Sequence, residues 1–195
     1  MTAPVHGQAV KAIAIGASAG AVQALLVILP ALPASFSLPV FVVVHVPSDR
    51  DNALVSLLQA RCRVTVKEAE DKEPIVGGTV YFAPADYHLL VEAGGGLALS
   101  ADEPVNYSRP SIDVLFESAA DVYGDGLLGV ILTGANHDGA GGLAAVLDAG
   151  GAGIVQDPAD AYSTAMPEAA LEASPCAHAM NLDAITVYLS SLGAA

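Results

Sequence analysis

The sequence predicts a three-layer α/β/α fold, with a mainly parallel sheet of about seven strands and an appended β-hairpin. Short β-branched runs alternate with helical stretches along most of the 195 residues, which is typical of strands joined by crossover helices. Val40–Val44 is wholly apolar, as expected for a strand covered on both faces of a parallel sheet. Only 14% of the residues are charged, which indicates that much of the chain is buried.

The predicted elements follow one another in short alternating stretches. The strands of the main sheet are predicted at Ala12–Ile15, Val40–Val44, Val64–Lys67, Val80–Phe82, Leu127–Leu132 and Gly153–Val155. Helices are predicted at Gly20–Leu29, Ala53–Gln59, Ser111–Val122, Leu143–Ala149 and Leu182–Leu192. Pro30 ends the first helix because proline cannot continue it, and Ser111 is a favoured residue at a helix start. Tyr87–Val91 and Leu97–Ser100, joined across three glycines, form the predicted hairpin.

The length of the chain favours one domain of ordinary size. No internal repeat, low-complexity stretch or linker divides the sequence. We therefore interpret residues 1–195 as a single domain. Cys62 and Cys176 form no CxxC motif and no framework, and we expect both to be free thiols.

The charge of the chain excludes several classes of partner. Seven Lys and Arg residues stand against 21 Asp and Glu residues, which gives a formal net charge of −14. Binding to nucleic acid needs clustered cations and is excluded, and an anionic membrane surface is disfavoured for the same reason. No signal peptide and no apolar stretch near the ~20 residues of a membrane span is visible. We therefore expect a cytoplasmic protein that does not insert into membranes.

Three polar residues follow predicted strands at the sheet edge where parallel sheets bind ligands. Ser18 follows the first strand within a Gly-x-Ser-x-Gly pentapeptide, His45 follows the second, and Asp138 lies in a glycine-rich loop after a late strand. Because the carboxyl ends of parallel strands share one edge, these residues are candidates for a nucleophile, a general base and an orienting acid. Their chain order excludes the α/β-hydrolase superfamily, although not a triad, since a triad is defined by geometry.

Each candidate also has a structural interpretation. The alternative for Ser18 is an N-cap of the following helix, and the alternative for Asp138 is a cap of the helix that follows it. A lone histidine at a strand end, such as His45, is often purely structural. A nucleotide-binding loop is disfavoured, because the spacing is not G-x-G-x-x-G and the second strand ends without an acid.

The chain also contains seven short blocks in a set order. They are Ile15–Gly20, His45–Pro47, Val66–Asp71, Tyr81–Pro84, Arg109–Phe116, Gly129–Gly134 with Asp138–Ala140, and Met166–Pro167. Together they resemble the catalytic domain of the bacterial chemotaxis protein-glutamate methylesterases, which also deamidate receptor glutamines. The resemblance runs from about Lys11 to beyond Met166, close to the whole chain.

The resemblance implies hydrolysis of γ-glutamyl methyl esters on the cytoplasmic helices of methylated chemoreceptors, with release of methanol. It implies Ser18 as nucleophile, His45 as general base and Asp138 as the acid that orients it. Ala19 N–H and the Gly134–Ala135 turn are the implied oxyanion donors. No metal and no organic cofactor is implied.

The chain departs from the family pattern at four positions near these residues. Ala19 stands where the family usually has a hydroxyl residue, and Ala21 where it has a second glycine. Ala135 replaces a methionine that lies beside the active site in the family, and Asn136 replaces a glycine. Because asparagine tolerates left-handed backbone, we expect the turn around Asn136 to survive the change.

Arg109 has two interpretations. As part of a matched block it is a candidate substrate contact, and its alternative is an ion pair with one of the many acids. The family's usual receiver domain is absent from the pattern, so we expect either that a separate receiver or regulatory protein supplies control or that this is a stand-alone or excised domain. Two other functions stay open: a catalytically impaired domain that serves as a signalling interaction module, and a disfavoured nucleotide-binding regulator.

Overall fold

The structure, a computed structural model, describes residues 9–45 and 51–193, with the backbone alone at residues 51 and 52. In these ranges the strands are β1 (Ala12–Ala17), β2 (Val40–Val44), β3 (Thr65–Glu68), β4 (Thr79–Phe82), β5 (His88–Glu92), β6 (Gly96–Ser100), β7 (Leu127–Ile131), β8 (Ala152–Gln156) and β9 (His178–Met180). The helices are α1 (Ala21–Ile28), α2 (Asp51–Gln59), α3 (Ile112–Tyr123), α4 (Ala140–Asp148), α5 (Ala165–Ala173) and α6 (Leu182–Leu192).

Seven of these strands form one sheet in the spatial order β3-β4-β2-β1-β7-β8-β9, and all its pairings are parallel. Strands β5 and β6 pair antiparallel as a separate hairpin. The three-layer α/β prediction with a seven-stranded sheet and a hairpin is thereby confirmed. Strand β1 lies at the centre, with β2 on one side and β7 on the other, which makes its carboxyl end the topological switch point.

The two faces of the sheet carry two separate cores because successive side chains of a strand point to opposite sides. Ile13 and Ile15 of β1 are buried in the core that contains the apolar faces of α1, α2 and α6. Ala12 and Ala14 belong to the core that contains the apolar faces of α3, α4 and α5, where Phe116 is fully buried. Strands β1, β2, β7 and β8 are buried along their whole length, which explains their continuous apolar runs.

The structure corrects the element boundaries in a few places. Helix α5 and strand β9 were not among the predicted elements: α5 contains Pro167, and β9 is three residues long and begins with an exposed histidine. Helix α4 begins at Ala140, three residues before the predicted start. The early start includes Gly142, where a Cβ atom would come within 2.7 Å of the Phe116 side chain, so glycine there permits close contact between α3 and α4.

Candidate active site

The carboxyl ends of β1 and β2 bring Ser18 and His45 to the same edge of the sheet. Ala17 of β1 pairs with Val44 of β2, so Ser18 and His45 are the next residues along two adjacent strands. The His45 N–H donates to the carbonyl oxygen of Ala17 at 3.1 Å. On the other side of β1, the Ser18 N–H donates to the Thr133 carbonyl oxygen, just beyond β7, at 2.9 Å.

The turn that carries Ser18 depends on both glycines of its pentapeptide. A Cβ atom on Gly16 would collide with the Ile112 side chain, and Gly20 has φ of 88°, in the left-handed region. Gly20 is also the N-cap of α1, without any side-chain cap. The interpretation of Ser18 as a helix cap is therefore wrong. The Ser18 side chain is half-buried, at the point where β1 turns into α1.

His45 and Asp138 are in direct contact. The Nε2 atom of His45 lies 2.9 Å from Oδ2 of Asp138, and Asp138 is fully buried while the His45 side chain is 13% exposed. An ionised carboxylate only accepts hydrogen bonds, so Nε2 carries a proton and the lone pair of the neutral ring lies on Nδ1. This is the histidine–acid part of the predicted triad.

Asp138 accepts several further hydrogen bonds. The donors besides His45 are the Asn106 amide, the Ser111 hydroxyl and the Ile112 N–H, at 2.9, 2.8 and 2.6 Å. Burial by itself raises the pKa of Asp138, but the hydrogen bonds from His45 and from these three donors outweigh burial and hold that pKa below its usual range. The carboxylate is thus held in its ionised form.

The helix that Asp138 caps is not the one that follows it. Its carboxylate accepts from the N–H groups of Ile112 and, at 3.3 Å, Asp113, at the start of α3. The following helix α4 has Gly139 as its N-cap. The prediction that Asp138 caps the following helix is therefore wrong, because its carboxylate caps α3, which lies earlier in the chain.

Asn136 contacts the other ring nitrogen of His45. Its Nδ2 lies 3.3 Å from Nδ1 of His45, and its Oδ1 accepts the Asp138 N–H at 3.3 Å. Within the described ranges, no hydrogen bond joins the Ser18 hydroxyl to His45. Asn136 is not among the described non-glycine residues with positive φ, so the turn forms without using the left-handed conformation that asparagine tolerates.

The candidate oxyanion donors differ in their availability. The Gly134 N–H donates to the Ser163 carbonyl oxygen at 3.2 Å, so this member of the predicted turn is already engaged. No backbone acceptor is recorded for the N–H groups of Ala19 and Ala135 in the described part of the chain. Ala135 is exposed, and buried Met166 packs against Gly134, where a Cβ atom would come within 2.6 Å of its sulfur.

A pocket of about 200 Å³ opens beside His45 and is lined also by Tyr107, Ser108, Arg109 and Pro110. Tyr107 is fully exposed at its rim. Arg109 makes no ion pair with a described acid, because its Nη1 donates instead to two backbone carbonyl oxygens at 2.9 and 3.0 Å. Its Nε is buried without a partner among the described residues.

Sequence reasoning missed three side chains that surround the triad candidates. Ser111 was identified only as a helix start, whereas its hydroxyl donates to Asp138. Asn106 precedes that helix in an irregular loop and carries no local pattern, so only tertiary structure brings it to the site. Asp113 follows the same helix start, and its carboxylate accepts from Gly139 and Gly142 of the neighbouring helix.

In residues 9–45 and 51–193, no group of three or more His, Cys, Asp and Glu side chains is arranged to hold a metal ion. None of the described helices combines the length and the apolar character that crossing a bilayer requires.

The chain is similar to known proteins in sequence and in structure. The family model described as CheB methylesterase matches residues 13–189. A Leptospira interrogans protein, provisionally named protein-glutamate methylesterase/protein-glutamine glutaminase, is 47% identical over 175 residues, which make up 90% of this chain and 91% of that protein.

A longer relative and a crystal structure extend the comparison. Protein-glutamate methylesterase/protein-glutamine glutaminase 2 of Caulobacter vibrioides is 38% identical over 186 residues, which are 93% of this chain and 54% of that protein. This chain thus spans about half the length of that relative. The crystal structure of the Thermotoga maritima CheB methylesterase catalytic domain matches with a TM-score of 0.89 and 34% identity, and covers 95% of this chain and 100% of that chain.

Proposed function

Since the chain belongs to the CheB methylesterase family, we propose that it hydrolyses glutamyl methyl esters on the cytoplasmic helices of chemoreceptors and deamidates glutamines there. The observation that carries this proposal is the 2.9 Å contact between His45 and buried Asp138, at the sheet edge that also bears Ser18. A histidine held by a buried carboxylate beside a serine on a sharp strand-to-helix turn is the arrangement that acyl transfer needs.

In the proposed mechanism, Ser18 Oγ attacks the carbonyl carbon of the ester while Nδ1 of His45 takes the hydroxyl proton. The tetrahedral intermediate collapses, the proton passes from Nδ1 to the methoxy oxygen, and methanol leaves. Water then attacks the acyl carbon while Nδ1 of His45 takes one of its protons. The bond between that carbon and Ser18 Oγ breaks, His45 returns the proton to Oγ, and the glutamate side chain leaves as a carboxylic acid that ionises in water. With glutamine as substrate the leaving group is ammonia instead of methanol.

The negative oxygen of the intermediate needs hydrogen-bond donors. The N–H groups of Ala19 and Ala135 are the proposed donors, because the Gly134 N–H is already bonded to Ser163. Both are backbone groups, so the replacement of the family's usual side chains at these positions leaves the donor atoms in the chain.

The pocket beside His45 is the proposed place for the substrate side chain. Arg109 lines it, and its Nε–H has no partner among the described residues, while its Nη1 is held by backbone carbonyl oxygens. A buried N–H without an acceptor is rare in proteins, and an acceptor supplied by the bound substrate would satisfy it. This supports Arg109 as a substrate contact.

The test is release of methanol from a methylated chemoreceptor preparation by the parent chain and by Ser18→Ala. We expect the variant to lose about 10⁴- to 10⁶-fold in rate, because removing one member of a triad disables the whole unit. Ser56→Ala is the matched control, since Ser56 is an exposed serine on α2 away from the site. Circular dichroism establishes that each variant is folded.

A second candidate function is a methylesterase-like domain that serves only as a signalling interaction module. One observation favours it: Asn136 contacts Nδ1 of His45, the atom that the serine hydroxyl needs, and Ser18 has no bond to His45 within the described ranges. A folded parent chain that releases neither methanol nor ammonia, and whose Ser18 resists a fluorophosphonate probe, would overturn the hydrolase proposal in favour of this module.

A further inference from the structure

The side chain of Asn106 lies between two carboxylates. Its Nδ2 donates to Oδ2 of Asp113 at 2.6 Å and to Oδ1 of Asp138 at 2.9 Å. Because both partners accept and do not donate, the orientation of the amide is determined: the NH₂ end faces the acids. One neutral side chain thus bridges two anionic groups.

The two carboxylates cap each other's helices: Asp138, which precedes α4, caps α3, and Asp113, which belongs to α3, caps α4. Asp138, in the loop before α4, accepts from the Ile112 N–H at the start of α3. Asp113, in the first turn of α3, accepts from the N–H groups of Gly139 and Gly142 at the start of α4, at 3.0 and 2.6 Å. The helix starts attract both acids to one place, where the acids repel each other.

Asn106 also belongs to the loop that forms the pocket. The next three residues, Tyr107, Ser108 and Arg109, line that pocket together with His45. Asn106 therefore links the substrate side of the loop to Asp138, which in turn holds His45 through Oδ2.

On the basis of the proposed function, we propose that Asn106 is a positioning residue for the triad: its amide separates Asp138 from Asp113 and holds Oδ2 of Asp138 toward His45. It does not touch the reacting atoms. Its contribution reaches the reaction through Asp138 and His45.

Titratable groups surround Asp138 on several elements. His45 faces Asp138 from the end of β2, and Asp113 and Glu117 belong to α3. His88 of β5 accepts the backbone N–H of Ser111, whose hydroxyl donates to Asp138. Partial desolvation and repulsion by the neighbouring carboxylates raise the pKa of Glu117, which marks the region as anionic. The Asn106 hydrogen bond contributes to lowering the pKa of Asp138, so its loss raises that pKa.

Two variants remove the amide in different ways. Asn106 has φ of 50°, a left-handed conformation that glycine adopts freely, so Asn106→Gly deletes the side chain without backbone strain. Asn106→Asp keeps the shape but replaces the donor with a third carboxylate. Asp86→Gly is the matched control, because Asp86 also has positive φ, at 61°, in an exposed turn before β5.

The first measurement is the pH dependence of methanol release. We expect kcat to fall about 10- to 100-fold in Asn106→Gly and further in Asn106→Asp, with KM little changed. The acid limb of the rate profile is expected to move to higher pH in both, and Asp86→Gly is expected to match the parent. Variants that keep the kcat and acid limb of the parent would overturn the proposal.

The second measurement needs no activity: the downfield proton resonance of the His45 Nε2–H, which depends on its bond to Asp138. When the pH is lowered, we expect this resonance to be lost at a higher pH in both Asn106 variants than in the parent and in Asp86→Gly. If the parent chain releases no methanol, the proposed function is refuted. If the resonance of the variants still changes as expected, the role of Asn106 is supported all the same. An unchanged resonance in the variants would overturn that role.

Discussion

At His45 the two ring nitrogens meet different partners. Nε2 faces the ionised Asp138, and Nδ1 faces the amide of Asn136 at the longer distance of 3.3 Å. The lone pair that would accept the Ser18 proton is therefore shared with Asn136 in the structure described. Substrate binding has to exchange this contact for the serine hydroxyl, a change that catalytic sites commonly undergo.

We expect Asn136→Ala to make Ser18 react about two- to tenfold faster with a fluorophosphonate probe. The variant loses one neutral hydrogen bond of about 0.5–1.5 kcal/mol that competes for Nδ1. The measurement is the time course of serine labelling. His137→Ala is the control, because this exposed neighbour makes no side-chain hydrogen bond within the described ranges. Slower labelling in Asn136→Ala would mean that the amide assists the base instead of competing with the serine.

The sequence was sufficient to select Ser18, His45 and Asp138 as candidates because parallel strands end at one edge, and local patterns locate strand ends. It was not sufficient for Asn106 or Asn136. Their contacts depend on how loops from distant parts of the chain fold over that edge, and no spacing rule describes such loops.

At the scale of elements, α3 and α4 are joined by an exchange of caps. The predicted N-cap of α3, Ser111, makes no side-chain bond to its own helix, and Asp138 takes its place. Asp113 does the same for α4. Asp138, the proposed orienting acid, is therefore also a cap that joins the two helices. This couples the stability of the helix pair to the geometry of the site.

Asp113→Ala is expected to lower the free energy of unfolding by about 1–2 kcal/mol, because the N–H groups of Gly139 and Gly142 lose their acceptor. Urea unfolding at neutral pH measures the change. Asp121→Ala, on an exposed face of the same helix, serves as the control. Equal stability of the two variants would show that water replaces the cap without loss.

Predicted and observed elements agree where burial determines the pattern. The wholly buried strands β2 and β7 were predicted from their continuous apolar runs, and the amphipathic α3 was predicted from its apolar periodicity. Strand β9 was missed because three largely exposed residues at a sheet edge leave no apolar run. The first turn of α4 was missed because its Gly141-Gly142 pair has low helix propensity, and packing against Phe116 outweighs that preference.

At the scale of the whole molecule, Asp138 links stability to pH. Its folded pKa lies below the ~3.9 of an unfolded aspartate, so its contribution to stability is complete above about pH 5 and is lost as pH falls through the folded pKa. Asp138→Asn removes this charge at every pH. We expect the variant to be about 2–4 kcal/mol less stable than the parent at pH 7, with a smaller difference at pH 3.

Chemical unfolding of both proteins at the two pH values provides the measurement. Asp121→Asn removes the charge of an exposed aspartate and is the comparison. A difference between parent and Asp138→Asn that stays constant from pH 7 to pH 3 would contradict the linkage.

The outermost strands of the sheet, β3 and β9, are four and three residues long, whereas central β1 has six. An open edge invites strands of neighbouring molecules, and shortness leaves few backbone groups to pair with them. Lys67 places a charge on one of these edges, and the formal net charge of −14 makes copies of the chain repel each other. The same architecture that gathers the reactive residues at the centre thus limits growth of the sheet into fibrils at high concentration.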